Sequence, residues 1–317
     1  MSIKIVTDSA ADIPPQIAEE LGITVVPLYL RFGNKTYRDG VDINQDEFYR
    51  KLQTSNIHPT TSQPTPNDFA KVYNELSKSA DNIISIHITG KLSGTCNAAV
   101  QGKEIAKNPG IINVVDSCSV TMGLGLVALV AARMAAAGEN LQTILGEVKN
   151  SINSTQLLGI FDTLKYLFLG GRIGRAKALL GTLLNVKPVL TMREGEILPV
   201  SQSRTRSRAI DRLFDFAKNA FGVQELAIVH STTPEEANSL AERMSSFVDT
   251  NHIHVSRLGP SLGVHGGPGT LIVALRNRIT GMVAGDPGTQ TTISNDTSTR
   301  KLSLPSIHIP KVNLPHR

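Results

Sequence analysis

"IISIHITGKLSGTCNAA", residues 83–99, decides how the rest of the chain is read. Six residues of β-type pattern run into a loop of glycines and hydroxyls, Thr89-Gly90-Lys91-Leu92-Ser93-Gly94-Thr95, and a small-residue, helix-compatible run follows from Cys96. Strand, tight loop and helix N-terminus in succession are the repeating unit of a parallel α/β sheet. The first amides of a helix have no intrahelical partners and its dipole is positive there. Gly90 and Gly94 allow close backbone approach while Ser93 and Thr95 supply hydroxyls, so the loop suits a phosphate or a carboxylate. It is not a Walker A loop, because Lys91 precedes the second glycine instead of following it. Taken alone, the stretch is equally consistent with Ser93 simply capping the helix.

The same alternation extends in both directions. IKIVTD (3–8) reads as a strand, 9–23 as a loop and helix, and TVVPLYLRF (24–32) as a second strand in which Pro27 argues for an edge or a bulge. Residues 44–55 have helical periodicity, and HPTTSQPTPNDF (58–69) reads as a loop fixed by prolines that leads into a helix at 67–79. GIINVVDS (110–117) is a further strand, and the apolar run Val120 to Ala137, with two glycines and Arg133, reads as a core helix buried on most sides. Strands alternating with helices predict a doubly wound, mostly parallel sheet for residues 1–155. From Leu157 the character changes. A Glu-Gly turn at 194–195 between two short strands signals a hairpin, and 225–259 adds β-α-β material. The expectation is a second α/β domain over 156–278, with a mixed or antiparallel sheet and helices. Residues 279–317, rich in Thr, Ser and Pro, read as a tail.

Composition narrows the function classes. Hydrophobic residues make up 40% and charged residues 19%, which is globular. The net charge of +5 is weak as a nucleic-acid signal, and at 4% aromatic residues with no Trp there is little material for base stacking, so no nucleic-acid partner is expected. Cys96 and Cys118 form no C-x-x-C and have no paired histidines nearby. Neither a disulfide scaffold nor a metal site is expected, and a reducing cytoplasmic setting fits. No membrane span is expected; a transient membrane contact stays open.

Three further loops carry candidate chemistry. Pro59-Thr60-Thr61-Ser62-Gln63-Pro64 is a second hydroxyl loop held between prolines, though turn chemistry explains its composition as well. Leu262 to Gly269 sets four glycines and a proline around His265, which could donate to an anion, act as a base, or be structural. Gly123-Leu124-Gly125-Leu126-Val127-Ala128 matches G-x-G-x-x-A, but the preceding strand ends too early for the dinucleotide turn, so these glycines read as helix packing. Between Lys165 and Arg208 nine basic residues stand against two acidic ones, either a solvated face or a docking surface for an acidic protein.

Six stretches occur in one order: Val6-Thr7-Asp8-Ser9 with Asp12, Thr61-Ser62-Gln63-Pro64, Thr89-Gly90 with Ser93-Gly94-Thr95, Asp116-Ser117, Gly170-Gly171-Arg172-Ile173, and His265 with Gly267-Pro268-Gly269. Over residues 1 to about 278 this series resembles the DegV family of fatty-acid-binding proteins, which includes the FakB partners of bacterial fatty acid kinase. The resemblance implies two α/β domains enclosing a long-chain fatty acid as ligand, with no further cofactor. Thr61 and Ser93 would hold the carboxylate, with the Gly94 and Thr95 amides and the His265 ring close by. It also implies a non-catalytic protein that presents the acid to an ATP-using kinase for acyl-phosphate formation, with Arg172 and Arg204 docking that kinase. Core-type residues around 157–169 and 179–184 would line the tunnel. The rival expectation is a serine-dependent acyl hydrolase using Ser93 and His265, against which stand the lack of a G-x-S-x-G elbow and of a third acid.

Overall fold

The computed structural model describes residues 2–179 and 186–278, and this part of the chain belongs to one compact unit. The tail expected over 279–317, and Leu180 to Leu184 of the expected tunnel lining, lie outside the described residues.

The first half runs β1 (Ile3–Asp8), α1 (Pro15–Glu20), β2 (Ile23–Val26), β3 (Tyr29–Phe32), β4 (Lys35–Arg38), α2 (Gln45–Thr54), β5 (Thr60–Ser62), α3 (Pro66–Leu76), β6 (Asn82–His87), α4 (Thr95–Glu104), β7 (Ile112–Asp116), α5 (Thr121–Ala136) and α6 (Leu141–Ser154). It builds a four-stranded, all-parallel sheet in the order β2-β1-β6-β7. Both faces are covered, as a parallel sheet requires. Along β6 the side chains divide between them: Ile83 packs with Phe69 and Tyr73 of α3, while Ile84 and Ile86 pack with Met122, Leu124 and Leu126 of α5.

Two expectations need correction here. The single strand expected at 24–32 is two strands in different sheets. Pro27 has no N–H to continue the ladder with β1, so the chain leaves that sheet after Val26 and β3 joins a small antiparallel sheet, β4-β3-β5. The proline-fixed loop at 58–69 contains β5, whose Thr61 pairs with Leu30.

The second half runs β8 (Thr155–Ile160), α7 (Lys165–Leu169), β9 (Lys187–Arg193), β10 (Glu196–Ser203), α8 (Arg206–Lys218), β11 (Val223–His230), α9 (Pro234–Met244), β12 (Ile253–Arg257), α10 (Pro260–Gly266) and β13 (Leu271–Asn277). These strands form one six-stranded mixed sheet, β10-β9-β8-β13-β11-β12, parallel only between β11 and β12. The hairpin at Glu194-Gly195 is present, and both residues take positive φ, 52° and 79°, as a tight two-residue β-turn of the I′ kind demands. The expected α/β class, with a parallel sheet first and a mixed sheet second, is the fold that forms.

Helix α5 lies in the core between the two sheets. Its residues Thr121 through Ala132 are all buried, and its core includes Ile5 and Ile86 from the first sheet together with Leu157, Val229 and Ala274 from the second. That is why this helix is apolar all round. Its glycines serve packing, not a nucleotide: a Cβ at Gly125 would stand 2.8 Å from the Ala11 carbonyl oxygen, and one at Gly123 would stand 2.7 Å from a Leu157 methyl. Outside the second sheet, α8 and α9 cover the face formed by Leu158, Ile228 and Val273.

Candidate functional site

In open α/β sheets a crevice forms beyond the carboxyl ends of the strands, where successive connections leave in opposite directions. From β1 the chain proceeds to β2 on one side, while β6 lies on the other. The loops after β1 and β6 therefore flank such a crevice. The loop after β6 is held by many backbone bonds. Thr89 N donates to Ser119 O (2.9 Å), Ser93 N donates to Thr89 O (3.2 Å), and Gly90 N donates to the Asp116 carboxylate (2.9 Å). Asp116 also accepts from Cys118 N at 2.8 Å, so this one carboxylate ties together the ends of β6 and β7.

Ser93 is not the N-cap of α4; Gly94 is, and it makes no side-chain cap bond. The Ser93 hydroxyl accepts from Thr95 N at 3.3 Å and shares a hydrogen bond with the Thr95 hydroxyl at 2.8 Å. It also reaches an adjacent cavity that is partly open to solvent. Most of that wall is apolar, with Leu28, Ile88, Phe161, Leu167, Ile197 and Ile272 contributed from both sheets and the segments around them. Thr61, Ser93, Arg172 and His265 converge on it.

Strand β5 presents Thr61 to α10, where the Thr61 hydroxyl lies 2.9 Å from His265 Nε2. The other ring nitrogen, Nδ1, is buried without a partner. Burial, then the Arg172 guanidinium, then His58, press the His265 ring down to about 4, so it is neutral at pH 7. Arg172 is anchored: its Nε donates to Leu92 O (3.2 Å) and its Nη1 to Gly170 O (2.9 Å). The glycines around His265 answer to close contacts. A Cβ at Gly267 would stand 2.1 Å from the Tyr166 ring, and one at Gly269 the same distance from the Asp162 carboxylate. Both glycines take positive φ, 73° and 75°.

Of the residues singled out in the sequence, Thr61, Ser93, His265 and Arg172 meet at this cavity. Gly94 and buried Thr95 stand behind Ser93, with the Gln63 amide packed over Gly94. Arg204 is exposed between β10 and α8 and is not part of the cavity wall. Ser93 and His265 hydrogen-bond to Thr95 and Thr61 and not to each other, so they do not make a nucleophile–base pair.

A Ser–His–Asp alignment does exist elsewhere, and sequence reading missed it. Ser85 Oγ lies 2.6 Å from His87 Nε2, and His87 Nδ1 lies 2.9 Å from Asp8 Oδ2. All three residues are fully buried, and Ser85 is also bonded to the Tyr73 hydroxyl at 2.8 Å. With no exposed atom for a substrate to approach, this chain of bonds ties β1, β6 and α3 together. The alternation of Ser85 and His87 along β6 is a local signal; Asp8, 79 residues earlier in the chain than His87, is not. Among the described residues no group of three or more His, Cys, Asp or Glu could hold a metal ion. None of the described helices is long and apolar enough to cross a membrane.

A mixed α/β body with an apolar cavity and a hydroxyl-and-histidine end defines the class of protein. The chain belongs to the DegV family: the model of that family, described as an uncharacterised protein, matches residues 2–278. A DegV domain-containing protein of Caldanaerobacter subterraneus is 37% identical over 269 residues, covering 84% of this chain and 95% of that protein. Protein DegV of Bacillus subtilis is 32% identical over 275 residues, covering 86% and 98%. Among solved structures, a fatty-acid-binding DegV family protein from Thermus thermophilus superposes with a TM-score of 0.81 at 34% identity, covering 88% of this chain and all of that one. DegV of B. subtilis, a fatty acid binding protein, superposes with a TM-score of 0.78 at 31% identity and the same coverage.

Proposed function

We propose that this protein binds one long-chain fatty acid, with the carboxylate at Thr61, Ser93 and His265 and the acyl chain in the apolar cavity. The observation that carries the reading is the convergence of Thr61, Ser93, Arg172 and His265 on a cavity whose wall is mostly apolar, with Leu, Ile and Phe prominent in it. A buried monoanion is stabilised by a few charge-assisted hydrogen bonds and a nearby guanidinium, and needs no metal. Each methylene removed from water adds about 0.8 kcal/mol, so the chain supplies most of the affinity and the head group fixes the orientation. The Thr95 amide donates to the Ser93 hydroxyl and steadies it from behind, and Gly94 caps α4 beside it. Arg172, half-buried and doubly anchored, serves the carboxylate end, while exposed Arg204 is left for a protein partner such as an ATP-using kinase that would phosphorylate the acid.

The test is solvent extraction of the purified protein followed by mass spectrometry of the extract. The wild type should carry a fatty acid in stoichiometric amount, and the Thr61→Val, Ser93→Ala double variant should carry about a tenth of that or less, two charge-assisted bonds being lost. Undiminished lipid in the double variant would move the carboxylate elsewhere.

His265 gives an independent check. A carboxylate placed beside an imidazole favours its protonated form. In NMR titrations the ring should titrate at about 4 in lipid-free protein and clearly higher once loaded. An unchanged midpoint would mean that the carboxylate is not its neighbour.

A further inference from the structure

Strand β8 carries a glycine where its backbone has no need of one. Gly159 is buried, pairs with Ile272 of β13 on one side and Leu190 of β9 on the other, and is not among the residues of positive φ. Glycine inside a strand weakens it, and where the conformation is ordinary it marks a close approach. Side chains alternate along a strand, and Leu158 and Ile160 pack with the residues of α8 and α9. Gly159 and Phe161 therefore face the other way, toward the cavity.

What approaches Gly159 is side chain, not backbone. A Cβ there would stand 3.1 Å from Ile272 Cγ1, 3.3 Å from Phe161 Cε2 and 3.6 Å from Phe161 Cζ. Both neighbours line the cavity. Residues two apart along a strand are separated by about 7 Å, so the Phe161 ring leans back along β8 into the room that a side chain at 159 would fill. The ring is otherwise enclosed, in a cluster with Leu164, Leu167, Leu190 and Ile197. Ile272 is branched at Cβ and stiff, whereas the contact atoms of Phe161 lie at the far end of its side chain. A larger residue at 159 thus lifts the ring, and the open space beside it is the cavity.

We infer that Phe161 sets how long an acyl chain the cavity accepts, and that Gly159 is its positioning residue, keeping the ring down by leaving its own place empty. This rests on the fatty-acid reading above and adds the residues that select among acids.

Isothermal titration of the delipidated full chain with decanoate, dodecanoate, tetradecanoate, hexadecanoate and octadecanoate tests it. Wild-type affinity should rise about fourfold per added methylene until the chain outgrows the cavity. In Gly159→Val, whose β-branched side chain suits a strand, the rise should stop at a shorter acid: hexadecanoate about tenfold weaker than in the wild type, decanoate within about twofold. Gly159→Ala should show the same change at smaller size. Phe161→Ala should move the limit to longer acids, and in that background Gly159→Val should no longer weaken hexadecanoate, because it acts through the ring. A loss equal at every chain length, or one that persists undiminished without the Phe161 ring, overturns the inference and leaves the fatty-acid reading standing. Failure of the wild type to bind any of the five acids removes the fatty-acid reading, and this inference with it.

Discussion

On the proposed fatty-acid function, Gly170→Ala is expected to cost the protein most of its lipid binding while leaving its fold intact. The backbone at Gly170 is ordinary, with φ −77°, so alanine adds no conformational strain there. The obstacle is a neighbour: the new Cβ would stand 2.1 Å from His265 Nδ1 and 2.7 Å from Cε1. The ring must swing away, and its 2.9 Å contact with Thr61 is lost. Affinity for hexadecanoate should fall about 10- to 100-fold, as befits one or two charge-assisted bonds, with the thermal midpoint lowered by only a few degrees. Gly171→Ala is the opposing control. Its φ is +69° but a Cβ there meets nothing within 4 Å, so it should cost about 1 kcal/mol of stability and no lipid. Full lipid retention by Gly170→Ala would take His265 out of the head-group site.

Asp39→Asn should change how stability depends on pH. Burial raises the Asp39 carboxyl to about 6, against the lowering effect of its Ser261 and Ser9 donors. In the unfolded chain it titrates at about 4. Between those values the native state holds a proton that the unfolded state has released. The stabilisation this provides is present at low pH and is lost as pH rises through about 6. A gap of about two between the folded and unfolded pKa values is worth about 3 kcal/mol. The asparagine cannot ionise, so stability of the variant relative to the wild type should rise by about 2–3 kcal/mol between about pH 4 and pH 7.5. Urea unfolding of both proteins across that range measures the difference directly, whatever constant cost the amide brings. A flat difference would mean that Asp39 is not buried as an acid.

The parts of this molecule legible in its sequence are those in which a local pattern carries the physics. The strand–loop–helix at 83–99, the Glu-Gly hairpin and the all-apolar α5 each declare themselves within a short window. Thr61, Ser93 and His265 stand out because hydroxyls and histidine among glycines and prolines are unusual locally. What stayed hidden depends on pairing over long distances. Nothing near Pro27 says that the strands on either side of it join different sheets, and nothing near Thr60 says that β5 will find Leu30 and Arg31. The buried Asp8–His87–Ser85 chain and the burial of Asp39 behind α10 belong to the same kind. Gly170 was legible as a motif but not in purpose: in Gly-Gly-Arg-Ile it resembled part of a docking surface, whereas its missing side chain makes room for the distant ring of His265.

The position of α5 limits how any cargo can come and go. A clamshell motion, swinging one sheet off the other, would have to bare one side of a helix whose Leu124, Leu126 and Leu129 are entirely buried. Each such side chain brought into water costs about 1.5–3 kcal/mol. The hinge is in effect glued along its length. Separating the sheets is therefore far costlier than displacing the few exposed residues at the cavity's rim, such as those of α7 and of the loop after β6.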